Sequence, residues 1–277
     1  MPSQKKYVII YYIEEGVFMK NISKQEASEL LAFYALKYNG KTKDIRDASR
    51  RKEPLNPSLY ADLLERLGNF KITTIFDDDY PKFLANSPLH PLCLFTRGEF
   101  HLLSFLDTSI GIHAGVSLSD DVEDDVYSII QEIIERDVVF IHSSLYPLTH
   151  LMVDAALDDA ESFTPRIAVV PFCDITYDVK GLVISEVPFP DYQEDLEKAI
   201  LRTNQLLIML SDRILLADME ENFLDRSFLT AAIILQKKLF CLEPTEPDLY
   251  EMSANLVAGG LPVLENVQDL FYEEDRK

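Results

Sequence analysis

The hydrophobic positions of this chain fall into two textures. Up to about residue 70 they recur at helical spacing. Tyr7 to Ile13 (YVIIYYI) is β-branched and aromatic and reads as a strand or the start of a buried helix. Ser23, with Glu26 three residues on, forms a capping box. Ala27, Leu30, Leu31, Tyr34, Ala35 and Tyr38 then continue one helix, and Asn39-Gly40 ends it. Residues 41–53 read as a polar, basic connector: Lys41, Lys43, Arg46, Arg50, Arg51 and Lys52 alternate with Asp44, Asp47 and Glu53. A second helix begins at Asn56-Pro57, has Leu59, Leu63, Leu64 and Leu67 as its apolar stripe, and stops at Gly68. Residues 1–70 are thus a small, mainly helical N-terminal domain.

From Lys71 short apolar runs alternate with amphipathic helices. Strands are predicted at 71–76, 92–97, 108–113, 138–142, 166–171, 182–185, 213–217 and 239–242. Helices are predicted near 120–136, 147–158, 193–210 and 227–237, and the final YEEDRK is expected to fray. Near-continuous apolar strands alternating with helices predict an α/β fold over 71–277. It is a Rossmann-like, mostly parallel sheet with helices on both faces.

Composition narrows the function classes. The chain has 277 residues, 47 acids and 26 bases, for a net charge of −21. Residues 1–70 carry +3 and the remainder −24. An acidic body repels phosphate backbones, because nucleic-acid binding draws on Lys and Arg neutralising phosphates. Cys93, Cys173 and Cys241 are far apart in apolar runs and read as buried thiols. No CxxC pair or metal-ligand spacing occurs, so no metal is expected and the compartment is read as reducing and cytoplasmic. MPSQKK is not a secretory leader. The apolar run after it meets Glu14 and Glu15 too soon to span a bilayer, so no membrane partner is expected.

The order of local motifs adds a resemblance. DYPKFLANSPLHPLCLFTRGEF, SIGIHAGVS, VVFIHSSLYPLTHLMVDAAL, RIAVVP, GLVISEVPFP, LSDRILLADM with Asn204, SFLTAA and ANLVAGGLPVLENVQDL follow one another over roughly residues 72–270. In that order they resemble the DprA/Smf DNA-processing family. Ser185-Glu186 with Pro188 is the nearest match. The resemblance implies a non-enzymatic bacterial protein of natural transformation and recombination. It implies ssDNA bound in a basic Rossmann-like pocket, a homodimer, and the RecA recombinase as partner.

The departures fall on that pocket. The loop after the second Rossmann strand reads His142-Ser143-Ser144-Leu145-Tyr146-Pro147, without the family's glycines and with Tyr146 at its arginine position. The family arginine after the first strand is His113, and its Arg-Asn-Arg is Thr203-Asn204-Gln205, with Arg202 one residue earlier. No glycine lies between Gly115 and Gly181 or between Gly181 and Gly259. Glycines let backbone N–H groups approach phosphates, and arginines bind them bidentately. Losing both predicts weakened or lost ssDNA binding, with function carried by protein contacts.

Candidate crevice residues are His113, His142, Ser143, Ser185, Glu186, Arg202 and Asn204, with Ser144 beside them. Each has a plainer reading as a strand-end or helix residue with ordinary hydrogen bonds. Ser211, Asp218 and Thr230 read as capping or strand-end residues. The acids at Asp120, Asp121, Glu123, Asp124 and Asp125 lack EF-hand spacing and suit a helix N-terminus. No Ser-His-Asp or Cys-His set, P-loop or intact dinucleotide fingerprint is present. No catalytic residue and no cofactor is therefore assigned. Two other function classes stay open: a Rossmann-like protein binding a nucleotide or small ligand in a remodelled crevice, and a purely structural interaction module whose crevice Tyr146 and Leu148 fill.

Overall fold

The computed structural model describes residues 22–87, 89–115, 118–136, 138–145, 165–173, 181–191 and 196–271. The segment at 7–13, the helix near 147–158 with Tyr146 and Leu148, and the terminal YEEDRK lie outside these residues. The chain divides into two compact units. One comprises Met1–Arg97, Phe172–Tyr177 and Ser185–Gln193, and the other Gly98–Pro171, Asp178–Ile184 and Glu194–Lys277.

In the first unit, α1 (Lys24–Lys37) starts from the predicted capping box, and both of its bonds are made. Leu31, Phe33, Tyr34, Ala35 and Leu36 are all buried, so α1 is the unit's central helix. The basic stretch after it is not a connector. Thr42–Arg50 forms α2, because Ile45, Ala48 and Ser49 recur at helical spacing and bury one face. Helix α3 (Pro57–Leu67) begins where Asn56 accepts the Leu59 N–H at 3.1 Å. Strands β1 (Lys71–Thr74) and β2 (Cys93–Gly98) follow, with the short α4 (Lys82–Ala85) between them. They pair antiparallel, whereas the strand pattern grouped them with the parallel sheet. No crossover helix of the needed length separates them. This compact unit also runs past residue 70, the boundary the sequence suggests, because β1 packs on α1. Thr74 donates its hydroxyl to Ser28 at 3.0 Å, and Ser28 in turn donates to Asp77 at 2.7 Å.

The second unit holds β3 (Ile110–Ala114), α5 (Asp120–Ile134), β4 (Phe140–Ser143), β5 (Arg166–Val169), β6 (Leu182–Ser185), α6 (Leu196–Leu210), β7 (Arg213–Ala217), α7 (Phe223–Ile234), β8 (Lys238–Cys241) and α8 (Glu251–Ala258). Strands β3 to β8 are mutually parallel in the order β6-β5-β4-β3-β7-β8. Side chains alternate across β3. Ile110, Ile112 and Ala114 pack with Val126, Ile130 and Ile133 of α5. Gly111 faces α6, where an added Cβ would meet Ser211 Oγ at 2.2 Å. Helices therefore cover both faces, as the apolar strands predict. The chain adds strands on one side of β3 and then returns to its other side with β7. The C-terminal ends of β3 and β7 thus form the switch point where ligands of open α/β sheets bind.

Three helices close the same way without the usual glycine. After α1, Asn39 and Gly40 N–H groups reach back to Leu36 and Ala35. Lys52 and Glu53 bond Ser49 and Ala48 after α2, and Gln236 and Lys237 bond Ile233 and Ala232 after α7. This is the Schellman pattern, whose first residue past the cap is left-handed. Asn39, Lys52 and Gln236 take φ of 51°, 52° and 54° there. A side chain in that region costs roughly 1 kcal/mol. Gln236→Gly is expected to stabilise the protein by about 1 kcal/mol in urea unfolding. Gly40→Ala is expected to cost about 2 kcal/mol or more, because φ is +71° and a Cβ would lie 2.4 Å from the Glu186 carbonyl oxygen.

Candidate functional site

At the switch point the chain places two of its own carboxylates, Asp218 and Asp225. Asp218 follows β7 directly. Its Oδ2 accepts the backbone N–H of Ser119 at 2.8 Å and the Ser119 hydroxyl at 3.0 Å. Ser119 is the N-cap of α5, and its hydroxyl accepts from Thr245, in the loop after β8, at 2.9 Å. One carboxylate thus joins the end of β7, the start of α5 and the loop beyond β8. Helix N-termini attract anions through free N–H groups and the helix dipole. Here the anion is internal, and Asp120, Asp121 and Glu123 in the first turn of α5 add further negative charge.

Asp218 is also the one left-handed non-glycine residue among the described residues that does not close a helix, with φ at 43°. It is 1% exposed, its Oδ1 has no hydrogen-bond partner among the described residues, and burial raises its pKa above the usual carboxylate range, partly opposed by the Ser119 bonds. Perturbed buried acids in strained backbone mark functional sites often enough to single this one out. Sequence reasoning read Asp218 as a strand-end or capping residue. It does cap, but its partner lies 99 positions away in the chain.

A second internal pair stands beside it. His113, on β3, is fully buried, and its Nε2 lies 3.0 Å from Asp225 Oδ1. Its ring stacks on Phe228 of α7 at 3.7 Å between centroids and 12° between planes. The other Asp225 oxygen accepts the Glu220 N–H at 3.0 Å and the Asn222 amide at 2.9 Å, while Asn222 caps α7 by accepting the Asp225 N–H. Asp225 is thus committed to its own helix start and to His113.

The other predicted residues do not gather into one pocket. His142 shares its strand face with Phe140, whose ring lies parallel to it at 5.9 Å. Phe140 pairs with Ile110 and packs with α5. His142 therefore points to the face opposite His113, because strand alternation separates them. Ser143 lies on the His113 face. Its hydroxyl accepts the Leu145 N–H at 3.1 Å, and the Ser144 N–H bonds the Val169 carbonyl. On α6 Asn204 is buried and Arg202 is partly exposed, so the two do not share a face.

Ser185 and Glu186 belong to the first unit and have structural roles there. The Ser185 hydroxyl accepts the Val187 N–H at 3.0 Å and lies 3.1 Å from the Val187 carbonyl. The Glu186 carbonyl rests on Gly40. Three residues on, the Phe189 backbone makes two 3.0 Å bonds with the Asn39 side chain. Lys41 pairs with Asp191 at 2.8 Å, and the Arg66 guanidinium sits 4.1 Å from the Phe189 ring centre. The segment is clamped to the end of α1.

Cys93 and Cys241 are buried, and burial pushes the Cys241 thiol up to about 11. Cys173 is partly exposed, unlike the buried thiol its apolar run suggests. Among the described residues no group of three or more His, Cys, Asp or Glu side chains converges. Among the same residues no helix is long and apolar enough to cross a membrane.

The class this geometry defines is an open, Rossmann-like α/β unit whose switch point is occupied by its own acids. No protein-family model matches the chain, and no curated protein does. Solved structures do. The chain is similar to DNA processing protein A (DprA) from Streptococcus pneumoniae, at 19% identity and a TM-score of 0.65, over 92% of this chain and 99% of that one. It is also similar to DprA from Helicobacter pylori, described for its single-stranded DNA binding mode. That match has 19% identity and a TM-score of 0.58, over 73% of this chain and 94% of that one. The fold is therefore that of the DprA structures.

Burial gives Asp218 a folded-state pKa above its unfolded one, so its ionised form weakens the fold. The protein is expected to lose stability as pH rises through the window just above the usual carboxylate range. Asp218→Asn keeps an acceptor for Ser119 and tolerates the left-handed backbone. It should raise Tm at pH 8 and leave it nearly unchanged at pH 4. Thermal melts of both proteins across that range check this.

Proposed function

We propose that this chain is a DprA-like DNA-processing protein. It is non-enzymatic, binds ssDNA weakly or not at all in its Rossmann-like unit, and acts through protein contacts as a homodimer or with a RecA-type recombinase. The observation that carries this reading is the occupation of the switch point by Asp218 and Asp225. Both carboxylates hold N–H groups that a phosphate would need, and both repel it. The fold likeness supports the family side of the proposal. The charge of −24 on residues 71–277 supports its departure from DNA.

Helix α7 supports the protein-contact side. Its C-terminal end exposes two adjacent apolar side chains, Ile233 and Ile234, each 61% exposed, and its start exposes Phe223 at 58%. Labelled oligo-dT is expected to show no anisotropy change with the purified protein at low or physiological salt. Tight binding that weakens steeply with salt would sink the proposal, because it requires a basic groove. Ile233→Asp, at an exposed position, is expected to leave the fold intact. It should weaken self-association at least tenfold in sedimentation equilibrium.

A second reading, a nucleoside or other small ligand in the same crevice, has one observation in its favour. The Asp218 Oδ1 is a buried acceptor with no partner among the described residues, and such an atom costs about 1–3 kcal/mol unless a donor reaches it. A thermal-shift series with nucleosides and nucleotides tests it, and a flat response removes it.

A further inference from the structure

Helix α2 carries a basic face on an acidic protein, and neither the fold likeness nor the switch point explains it. Residues 41–52 hold six bases and two acids in a chain of net charge −21. Ile45, Ala48 and Ser49 are buried, so Lys43, Arg46 and Arg50, three and four residues apart, run along the opposite face. The acids around this face are mostly engaged. Asp191 holds Lys41, Asp47 holds Arg50, and Glu53 holds Arg51 and Lys37. Lys43, Arg46 and Lys52 have no ion-pair partner among the described residues, and neither has the exposed Asp44. Lys43 also stands in the first turn, where the helix dipole disfavours a cation, and Arg46 repels Arg50 at i,i+4.

The complement to this face lies on the chain itself. Five of the six residues 120–125 are acids, and no Lys or Arg occurs between Arg97 and Arg136. Val122, Val126, Ile129 and Ile130 are buried, and Asp120, Asp121, Asp124 and Asp125 are exposed on the other side of α5. The dipole favours acids in the first turn only. Asp124 and Asp125 lie beyond it and repel Asp120 and Asp121 at i,i+4. None of these four acids has an ion-pair partner among the described residues. We propose that α2 of one molecule docks on α5 of a second copy, head to tail. At roughly 1.5 Å per residue, Lys43 to Arg50 covers about 10 Å of helix and Asp120 to Asp125 about 8 Å, so opposite charges face one another over nearly two turns. The net charge does not forbid the contact. Charges separated by more than about 8 Å are largely screened at physiological salt, so the faces that touch dominate. Exposed ion pairs are individually weak, which makes the association transient and salt-sensitive. The two faces differ, so the contact is heterologous and adds copies in a ring or filament. The inference is independent of the proposed function, since it uses neither the switch point nor the exposed side chains of α7.

The test uses the full-length chain carrying Ile233→Asp, which removes any contribution of α7. Sedimentation velocity at about 0.1 M salt should show concentration-dependent association that is lost near about 1 M, where the screening length falls to about 3 Å. An apolar interface would survive that salt. Lys43→Glu with Arg50→Glu, and separately Asp121→Lys with Asp124→Lys, should each weaken the association at least tenfold. All four substitutions are at exposed positions and should leave the thermal melt intact. An equimolar mixture of the two variants should restore association, because each α2 then meets an α5 of opposite charge. A protein that stays monomeric at the lower salt would overturn the proposal. So would association that resists the higher salt, or reversals without effect. A mixture that does not recover would also overturn it and give the two faces to separate partners.

Discussion

The carboxylate of Asp218 is the point on which the second unit turns. It closes the start of α5, follows the last residue of β7, and through Ser119 reaches the loop after β8. Three segments far apart in sequence converge on one buried charge. A buried charge is tolerated only where hydrogen bonds replace water, and here one oxygen is satisfied while the other has no partner among the described residues. Burial accounts for the raised pKa.

His113 and Asp225 extend the same theme. A histidine fully buried between a carboxylate and an aromatic ring is part of the packing of β3 on α7. Asp225 spends its second oxygen on the start of its own helix. Two neighbouring helix N-termini, those of α5 and α7, are thus both neutralised from within.

Much of the fold was legible because local rules and tertiary packing agree. Ser23 and Glu26, Asn56 and Pro57, and the apolar runs at 182–185 and 213–217 place their elements within a residue or two. Helix α2 was missed because its charged residues outnumber the two apolar side chains, Ile45 and Ala48, that bury it. Helix α8 was missed because Glu251–Ala258 is short and lies in a stretch read only for its family likeness. The site was less legible, for a physical reason. Strand ends are visible in sequence, but the face each residue takes depends on register, and this parts His142 from His113. The pairs Ser119–Asp218 and His113–Asp225 span 99 and 112 positions. No local periodicity can report such contacts. The acid after an apolar strand at Asp218 was the available signal, and its strain and burial appear only in three dimensions.

The left-handed helix ends at Asn39, Lys52 and Gln236 act on the unfolded chain as well as on the folded one. A residue with a β-carbon explores fewer backbone conformations than glycine, so the denatured ensemble gives up less entropy when each of these turns forms. With only nine glycines in 277 residues, the protein holds strain at a few helix ends while its disordered state is stiffened along nearly its whole length.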